Sequence, residues 1–433
     1  MIAITSNRGN DLDKKIVIVG VFLILLFTLF TPISLGYNVK TADKIVLSFL
    51  SFNRSNTLYV GGNGPNNYTK IQDAINDAMA GDMIFVFDYS SPYYERLVID
   101  KSISLIGEDR NTTVIDANNY GIVIDIKVDN VIITGFTLIN CGKSYSSWDD
   151  NVIRVVGCEN VVIKDNRISI GIADKGNWVA GILFIGSSNN LIQNNIIFRG
   201  EKKIRTSGIE IDYESSYNNV SGNEIYGYNK GIATNGASYN MFYDNYIYNN
   251  EWGMQLYGDG NTIINNKISY NSYKGIDLVG WDSIVSENTV TYNGGSGTFC
   301  SGIHILGSSS HSITNNHISN NKYVGIWVVG PSINNIISDN DISNNDQIGI
   351  YFDDFVYHNI VSRNNLINNG RNAYFIGEFL FSFTNKWSEN YWSDTIVHGL
   401  FPKIIYGEVY FLLLFPFKFI NFDWHPAKEP YEI

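Results

Sequence analysis

A unit of about 22 residues recurs through the middle of this 433-residue chain and restricts the folds that it can adopt. Each unit opens with glycine before alternating apolar residues and closes with Asn-x-Ile, as in GMQLYGDGNTIINNKI over residues 253–268. The spacing between units varies, so a fixed core carries insertions of different length, which is typical of a solenoid. The opening glycines are Gly121, Gly181, Gly208, Gly231, Gly253, Gly275, Gly302, Gly325 and Gly349.

The apolar residues alternate with a period of two, as in Ile209 and Ile211 or Ile303 and Ile305. Helical repeats would need a period near 3.6, and glycine, asparagine and β-branched residues interrupt every candidate helix. A unit of this length accommodates three short strands and three turns. We therefore predict an all-β fold, a right-handed parallel β-helix that forms a solenoid of roughly 10–11 coils.

Asparagines mark one place in successive units. Asparagine tolerates the left-handed backbone of tight turns, and stacked asparagine side chains can hydrogen-bond from coil to coil. We expect an asparagine ladder, with Gly135 in the same place one turn earlier. The ladder positions are Asn166, Asn195, Asn223, Asn245, Asn266, Asn288, Asn316, Asn340 and Asn365.

Both ends of a solenoid expose strand edges and need caps. The sequence TKIQ at residues 69–72 has the pattern of a capping box. It predicts an N-terminal capping helix that stops at Gly81 and buries Ile71, Ala74, Ile75, Ala78 and Met79. Downstream, an aromatic tail predicts a C-terminal cap. The expected organisation is 1–36 signal peptide or membrane anchor, 37–57 linker, 58–118 N-terminal cap and first coils, 119–376 β-helix repeats, and 377–433 C-terminal cap.

The N-terminus predicts export. An apolar run at residues 16–30 follows the cations Arg8, Lys14 and Lys15, and this order favours translocation of everything downstream. The run fits either a cleaved signal peptide or a membrane anchor through residues 16–33. The main domain is thus expected outside the cytoplasm, membrane-anchored or secreted. A second apolar run at 409–417 is too short to span a bilayer and is expected to pack in the cap.

Charge and cysteine content exclude several classes. The formal net charge of −12 argues against binding to the phosphates of nucleic acid. Three cysteines without CxxC spacing argue against a disulfide framework and a structural zinc site. A single bridge between Cys141 and Cys158 stays open.

The stretches YTKIQDAINDAMAGDMIFV and YYERLVIDKSISLIGEDRNTTVIDA, with the coils that follow, carry a family resemblance over residues 58–376. They resemble the parallel β-helix repeat proteins called carbohydrate-binding and sugar-hydrolysis domains, which include the periplasmic copper accessory protein NosD and, more distantly, pectate lyases and pectin methylesterases. The terminal NYWSD and FDWHPAKEPYEI resemble the tail of archaeal surface members. The resemblance implies the fold strongly and a function weakly.

In the fold that the resemblance implies, the strand after each glycine forms the ligand face. Its apolar residues point inward and the residues between them point outward. Long insertions before several of these strands are expected to rise beside the face as the walls of a groove. Carboxylates, an amide, a histidine and aromatic rings along such a groove suit a sugar polymer. The first outward positions are Arg154, Leu183, Glu210, Ala233, Gln255, Asp277, His304, Trp327 and Tyr351, and the second include Asp212, Tyr257 and Asp353.

Two pairs on this face are candidates for acid–base catalysis. Glu210 and Asp212 are two residues apart on one strand, about 7 Å, within the range of an inverting carboxylate pair. Asp277 and His304 are one coil apart, about 5 Å, close enough to share a proton. An enzyme acting on uronates must also neutralise a carboxylate, and Arg154 is the only cation expected on the face.

The favoured hypothesis is an exported protein that binds a polysaccharide or glycan without turnover. The alternatives are a hydrolase, lyase or epimerase on the same groove, and a structural envelope protein or copper accessory protein. Copper would need clustered Met, Cys or His, whereas His311 is expected in a turn, His317 on a different strand from His304, and all as surface histidines. No metal or cofactor is expected, although Ca²⁺ stays open. The predicted binding residues are Arg154, Gln255, Tyr257, Trp327, Tyr351 and Asp353.

Overall fold

The computed structural model describes residues 56–142, 150–171, 179–199, 206–295, 297, 299–378, 382–395, 399–411 and 415–433. These residues form a right-handed parallel β-solenoid of about 13 turns. The fold class is as predicted, and the solenoid is longer than the expected 10–11 coils, because the first turns lack the glycine and asparagine that mark the later ones.

Each turn contributes strands at three positions, and every strand pairs in parallel with its equivalents in the turns before and after. Position 1 follows the recurring glycine. Its strands are Leu97–Ile99, Ile124–Ile126, Ile153–Val156, Val179–Ile185, Thr206–Asp212, Lys230–Asn235, Trp252–Tyr257, Lys274–Val279, Ser301–Leu306, Val324–Val329, Ile348–Asp353, Arg371–Glu378 and Lys403–Phe411.

Positions 2 and 3 complete each turn. Position 2 is formed by Thr57–Val60, Met83–Val86, Ser104–Gly107, Ile132–Thr134, Val162–Lys164, Leu191–Gln193, Asn219–Ser221, Met241–Tyr243, Thr262–Ile264, Ile284–Ser286, Ser312–Thr314, Ile336–Ser338, Ile360–Ser362 and Lys386–Ser388. Position 3 is formed by Val114–Asp116, Thr137–Ile139, Arg167–Ser169, Ile196–Phe198, Glu224–Tyr226, Tyr246–Tyr248, Lys267–Ser269, Thr289–Thr291, His317–Ser319, Asp341–Ser343, Asn365–Ile367 and Tyr391–Trp392. A minor sheet pairs Ser332–Ile333 with Val356–Tyr357.

The recurring glycine is required by space. A Cβ on Gly275 would lie 2.5 Å from the carbonyl oxygen of Gly302 and 2.7 Å from Cγ1 of Val290, so a side chain would enter the packed interior. The chain bends inward at this point, and Ile276, the next residue, is also fully buried. As a consequence, the residue before the glycine, such as Lys274, points outward with the ligand face.

The predicted asparagine ladder is present. Asn266 Nδ2 donates to Asn288 Oδ1 at 3.0 Å, and the Asn266 backbone N–H donates to the same oxygen at 2.9 Å. The C-terminal end of the ladder passes through Asn364, because Asn340 donates to Asn364 Oδ1. The prediction of Asn365 was therefore wrong by one residue, and Asn365 bonds instead to the backbone of Tyr431.

The left-handed turn residue is the one before the ladder asparagine, as at Asn265 (φ 54°) before Asn266. Gly135 (φ 84°) belongs to this left-handed position, and Phe136 takes the ladder place, where its N–H donates to Asn166 Oδ1. Both assignments were ambiguous because asparagine pairs such as 265–266 fit the pattern in two registers. Two further ladders occupy the other turns, with Asn190, Asn218, Asn240 and Asn261 in one and Asn250, Asn271, Asn293, Asn321, Asn345 and Asn369 in the other.

The capping helix spans Ile71–Asp77 and buries Ile71, Ala74 and Ile75 as expected. The capping box was wrong: the carboxylate of Glu95, from the first turn, accepts the N–H groups of Ile71 (2.8 Å) and Gln72 (3.0 Å). Met79 lies beyond the end of the helix and is 71 % exposed, so its predicted burial was also wrong.

At the other end, the strand Phe415–Asp423 runs antiparallel to Lys403–Phe411 and joins the position 1 and position 2 columns into one 28-stranded sheet. Trp387, Trp392 and Val409 are buried beneath it. Within the described parts of the chain, every helix is too short or too polar to cross a lipid bilayer. The predicted anchor at 16–33 lies outside the described residues. Cys141 and Cys158 are buried and free, so the bridge that was left open is not formed.

Candidate functional site

The outward row, defined as the first outward residue of each position 1 strand, is aligned rung over rung. Each of its members pairs in register with the next, which confirms the order read from the repeat. The row runs through Arg154, Leu183, Glu210, Ala233, Gln255, Asp277, His304, Trp327 and Tyr351, and extends to Asp125 and Tyr374. The insertions expected to wall it fall largely outside the described residues.

Asp277, His304 and Lys274 form a buried hydrogen-bonded cluster on this row. His304 Nδ1 lies 2.5 Å from Asp277 Oδ1, and Lys274 Nζ lies 3.2 Å from the same oxygen and 2.8 Å from His304 Nδ1. The side chains of all three are less than a tenth exposed. With the Nδ1 proton assigned towards Asp277, Nδ1 accepts nothing from Lys274, which donates to Asp277, and His304 Nε2 is left as a proton acceptor.

The protonation states of the cluster follow from burial and from the mutual charges. Burial alone would raise the pKa of Asp277, but the hydrogen bond from His304 and the charge of Lys274 outweigh it and lower that pKa. Burial lowers the pKa of His304 in spite of Asp277, so the imidazole is neutral near pH 7. Burial also lowers the pKa of Lys274. A carboxylate that orients a neutral imidazole is an arrangement suited to a general base.

Glu210 and Asp212 form a different kind of cluster. Asn235 Nδ2 donates to both, at 3.0 Å to Glu210 Oε1 and 2.6 Å to Asp212 Oδ1. The amide nitrogen therefore occupies the space between the carboxylates where an inverting glycosidase holds its water. Burial raises the pKa of both groups, and the charge of Asp212 raises that of Glu210 further. This geometry differs from the predicted inverting pair.

Two lysines on the face escaped the sequence analysis. Lys230 and Lys274 precede the recurring glycines and pair in register with Trp252 between them. Burial lowers the pKa of Lys230, opposed by Glu210 and Asp212. The expectation that Arg154 is the only cation was wrong, because simple alternation does not continue through the bend at the glycine. A polar residue directly before the glycine was the signal that could have found them.

The aromatic residues of the row stack on one another. Trp327 lies 5.8 Å from Phe299 and 5.7 Å from Tyr351, with interplanar angles of 7° and 26°, and Tyr374 continues the stack. Stacking engages the ring faces of Trp327 and Tyr351, whereas Phe299 is 59 % exposed.

The remaining predicted binding residues lie in several environments. Arg154 forms a two-pronged ion pair with Asp125, with both nitrogen–oxygen distances 2.9 Å. Gln255 lies between Ala233 and Asp277 and is largely buried. Burial raises the pKa of Asp353. Burial, and to a smaller extent the charge of Asp277, raise the pKa of Tyr257 to about 12. The structure therefore groups Tyr257 with the Asp277 cluster and leaves Arg154 far from it.

The histidines that the structure describes lie in separate environments. His311 lies in a turn and His317 on a position 3 strand, as predicted, but the expectation of surface histidines was wrong for His304 and His311, which are both buried. Among the described residues, no three His, Cys, Asp or Glu side chains are grouped so that they could hold a metal ion. The described residues therefore offer no grouped ligand set for copper, and His398 lies outside them.

Comparison with protein families gives two overlapping matches. Residues 151–301 match the family described as "Right handed beta helix region", and residues 257–399 match "Periplasmic copper-binding protein (NosD)". Each match covers less than half of the chain. No curated protein matches.

Solved structures share the fold at low identity. The catalytic domain of a GH87 α-1,3-glucanase is similar with a TM-score of 0.53 and 16 % identity, over 77 % of this chain and 69 % of that one. The PL6 family alginate lyase AlyGC gives 0.52 and 15 %, over 73 % and 49 %. The A-module of the Azotobacter vinelandii mannuronan C-5 epimerase AlgE4 gives 0.46 and 15 %, over 74 % and 89 %. At these identities the likeness to the glucanase domain and the lyase shows the fold alone, a parallel β-helix.

Proposed function

We propose that this chain is an exported enzyme that moves a proton on the uronic acid residues of a polysaccharide, as a lyase or an epimerase. The observation that carries the proposal is the buried Lys274–Asp277–His304 cluster on the outward row. Burying ionisable groups costs free energy, and stacking of the coils does not require them, since Leu183 and Ala233 occupy the same row. Catalysis is a reason to keep them there.

The reaction needs a base beside C5 of the sugar and a cation beside its carboxylate. In this proposal His304 Nε2 takes the C5 proton, Asp277 holds the imidazole through Nδ1, and Lys274 Nζ stabilises the charge that grows on the carboxylate. The electron pair then either expels the C4 oxygen, which forms a C4=C5 double bond, or accepts a proton on the opposite face. Tyr257 retains its phenolic proton at neutral pH and is the acid in either case.

The extracytoplasmic location belongs to the same proposal. It is supported by the apolar run at 16–30 with its preceding cations and by the match to a periplasmic family. Fractionation of cells that express the full chain distinguishes a cleaved signal from an anchor through 16–33.

Incubation of the full chain with polysaccharides in D₂O tests the enzyme. We expect deuterium at C5 of a polyuronate by NMR, or absorbance from a new C4=C5 bond, and little change in neutral glucans. His304→Gln should reduce the rate at least about 100-fold. Glu210→Gln is the matched control, a buried outward carboxylate three coils (about 14 Å) from Asp277, and should retain activity within a few-fold. Turnover that survives in His304→Gln contradicts the proposal.

A second candidate is binding of a polysaccharide or glycan without turnover. It is favoured by Asn235, whose amide closes the space that a hydrolytic water would need between Glu210 and Asp212. A glycan array that shows binding, together with no product and no deuterium uptake from the bound polymer, would select this function over the enzyme.

A further inference from the structure

A second cluster lies on the position 3 sheet. His317 Nδ1 is 2.8 Å from Asp341 Oδ2, and His317 Nε2 is 2.9 Å from Ser319 Oγ. Asn320 Nδ2 donates to the same Oγ at 3.1 Å. The two ring nitrogens of one imidazole thus connect a carboxylate to a hydroxyl.

The β-helix produces this order from two short sequence features. His317 and Ser319 alternate on one strand, so both point outward, on either side of the buried Ile318. Asp341 pairs in register with His317 in the next coil. A His-x-Ser in one turn and an aspartate at the aligned place of the next turn therefore give Ser–His–Asp.

This order of groups activates a serine. A carboxylate bonded to Nδ1 orients the imidazole, and Nε2 then accepts the serine proton. The hydrogen bond that His317 donates to Asp341 raises the pKa of His317, against a smaller effect of burial. The amide of Asn320, next to Oγ, is a donor of the kind that stabilises an oxyanion.

We propose that Ser319, His317 and Asp341 form a second active site, which hydrolyses small acyl esters carried on the hydroxyls of a glycan. Because Ser319 is only 2 % exposed behind the half-exposed His317, the proposal is restricted to small acyl groups such as acetyl. This site shares no residue with the outward row.

The reaction is balanced by water alone. Ser319 Oγ attacks the carbonyl carbon while His317 Nε2 takes its proton, and Asn320 Nδ2 donates to the oxyanion. Collapse breaks the ester C–O bond, and His317 returns the proton to the departing sugar hydroxyl. Water then attacks the acyl-serine, giving its proton to His317, and the acid and the free serine are released.

The test uses the full chain, p-nitrophenyl acetate as substrate and a fluorophosphonate as the covalent probe, with peptide mapping. We expect the probe on Ser319, and a fall in kcat/KM of at least about 100-fold in Ser319→Ala and in His317→Gln. Ser343→Ala is the matched control, since Ser343 occupies the same place one coil later, and it should retain the full rate. An unchanged rate in Ser319→Ala, or labelling confined to other serines, overturns the proposal.

Asp341 is a positioning residue, and its role needs a separate kinetic test. Asp341→Asn should lower kcat at least about 10-fold with KM unchanged, and Asp341→Glu should restore part of the rate. Equal melting temperatures for these variants and Ser343→Ala separate lost chemistry from lost folding. None of these measurements uses a uronate, so their failure and the failure of the proposed lyase or epimerase are distinguishable.

Discussion

The asparagine ladders and the outward row are both columns of aligned residues from successive coils. The ladders repeat one residue type, whereas the outward row changes from coil to coil. Around Asn266 each rung repeats the previous one, so every amide donates to the next and accepts from the last. In the outward row neighbouring rungs differ, as with Gln255, Asp277 and His304. Identical neighbours stabilise the rod, and unlike neighbours place different chemical groups within bonding distance.

The comparison teaches where to look for chemistry in a repeat protein: at positions that depart from their column. Lys274 stands in a column with Trp252 and Ser301, and Asp341 in a column with Thr289 and His317. Departures inside a ladder should instead cost stability. The predictions below separate the two kinds of column.

The largest effect is expected in the outward row. Asp277→Asn should lower kcat about 1,000-fold, equivalent to about 4 kcal/mol in the barrier, because an amide can present the wrong tautomer of His304 to the substrate. Steady-state kinetics on the polyuronate identified by the deuterium assay measure this. A change confined to KM would show that Asp277 only binds substrate.

A comparable loss, in stability, is expected in the ladder. Asn266→Ala removes the buried acceptor of Asn245, the donor to the buried carbonyl of Phe242 and the donor to the part-buried carbonyl of Ile264. The free energy of unfolding should fall by about 3 to 4 kcal/mol. Denaturant unfolding measures it, with Asn265→Gly as the control, since the exposed Asn265 already has a left-handed backbone. Equal destabilisation by the two variants would refute the ladder's role.

The sequence predicted the repeating columns well. The register of Glu210, Asp277 and His304 followed from the glycine spacing, because each coil must bring its inward residues to the same core. Prediction from the sequence failed where the backbone departs from the regular inward–outward alternation of a strand. The bend at Gly275 turns Lys274 outward, and it brings Gly275 so close to Val290 and Gly302 of other coils that a Cβ would not fit.

Other misses were contacts between distant residues. The sequence around residue 71 cannot show that Glu95 caps the helix, or that Asn235 holds Glu210 and Asp212 together. His317 was read as an isolated surface residue, because its partner Asp341 becomes a neighbour only once the coils are in register.

His311 is a departure from asparagine within a ladder, and its effect on stability should depend on pH. It occupies a ladder turn, where its Nδ1 accepts the N–H of Ser283, and burial lowers its pKa from 6.5 to about 4. Above pH 6.5 both the folded and the unfolded chain keep it neutral. As pH falls from 6.5 to 4 only the unfolded chain gains the proton, so about 3 kcal/mol of stability should be lost over this window.

The difference in unfolding free energy between the wild type and His311→Asn, measured at pH 7 and pH 4, isolates this contribution from that of the carboxylates. A difference that is the same at both pH values would contradict the assignment to His311.

The smallest effect is expected from the same substitution at pH 7. His311→Asn should raise stability by about 1 kcal/mol, because Nε2 of His311 has no hydrogen-bond partner among the described residues, whereas an asparagine amide would complete the ladder between Ser283 and Asn335. Thermal unfolding measures it. A lower melting temperature would mean that the imidazole fills space that an amide leaves empty.

Asp423 terminates the ladder that contains Asn266, at its C-terminal end. Every amide in that column donates towards the C-terminal side, so their dipoles add, and the positive end of the array meets the Asp423 carboxylate, which accepts from Asn390 and from the indole of Trp392. A carboxylate accepts hydrogen bonds and offers none onward. The positive end of the ladder's dipole is therefore compensated by the Asp423 carboxylate. A second solenoid that approached this end would find no free donor in this ladder to extend the stack.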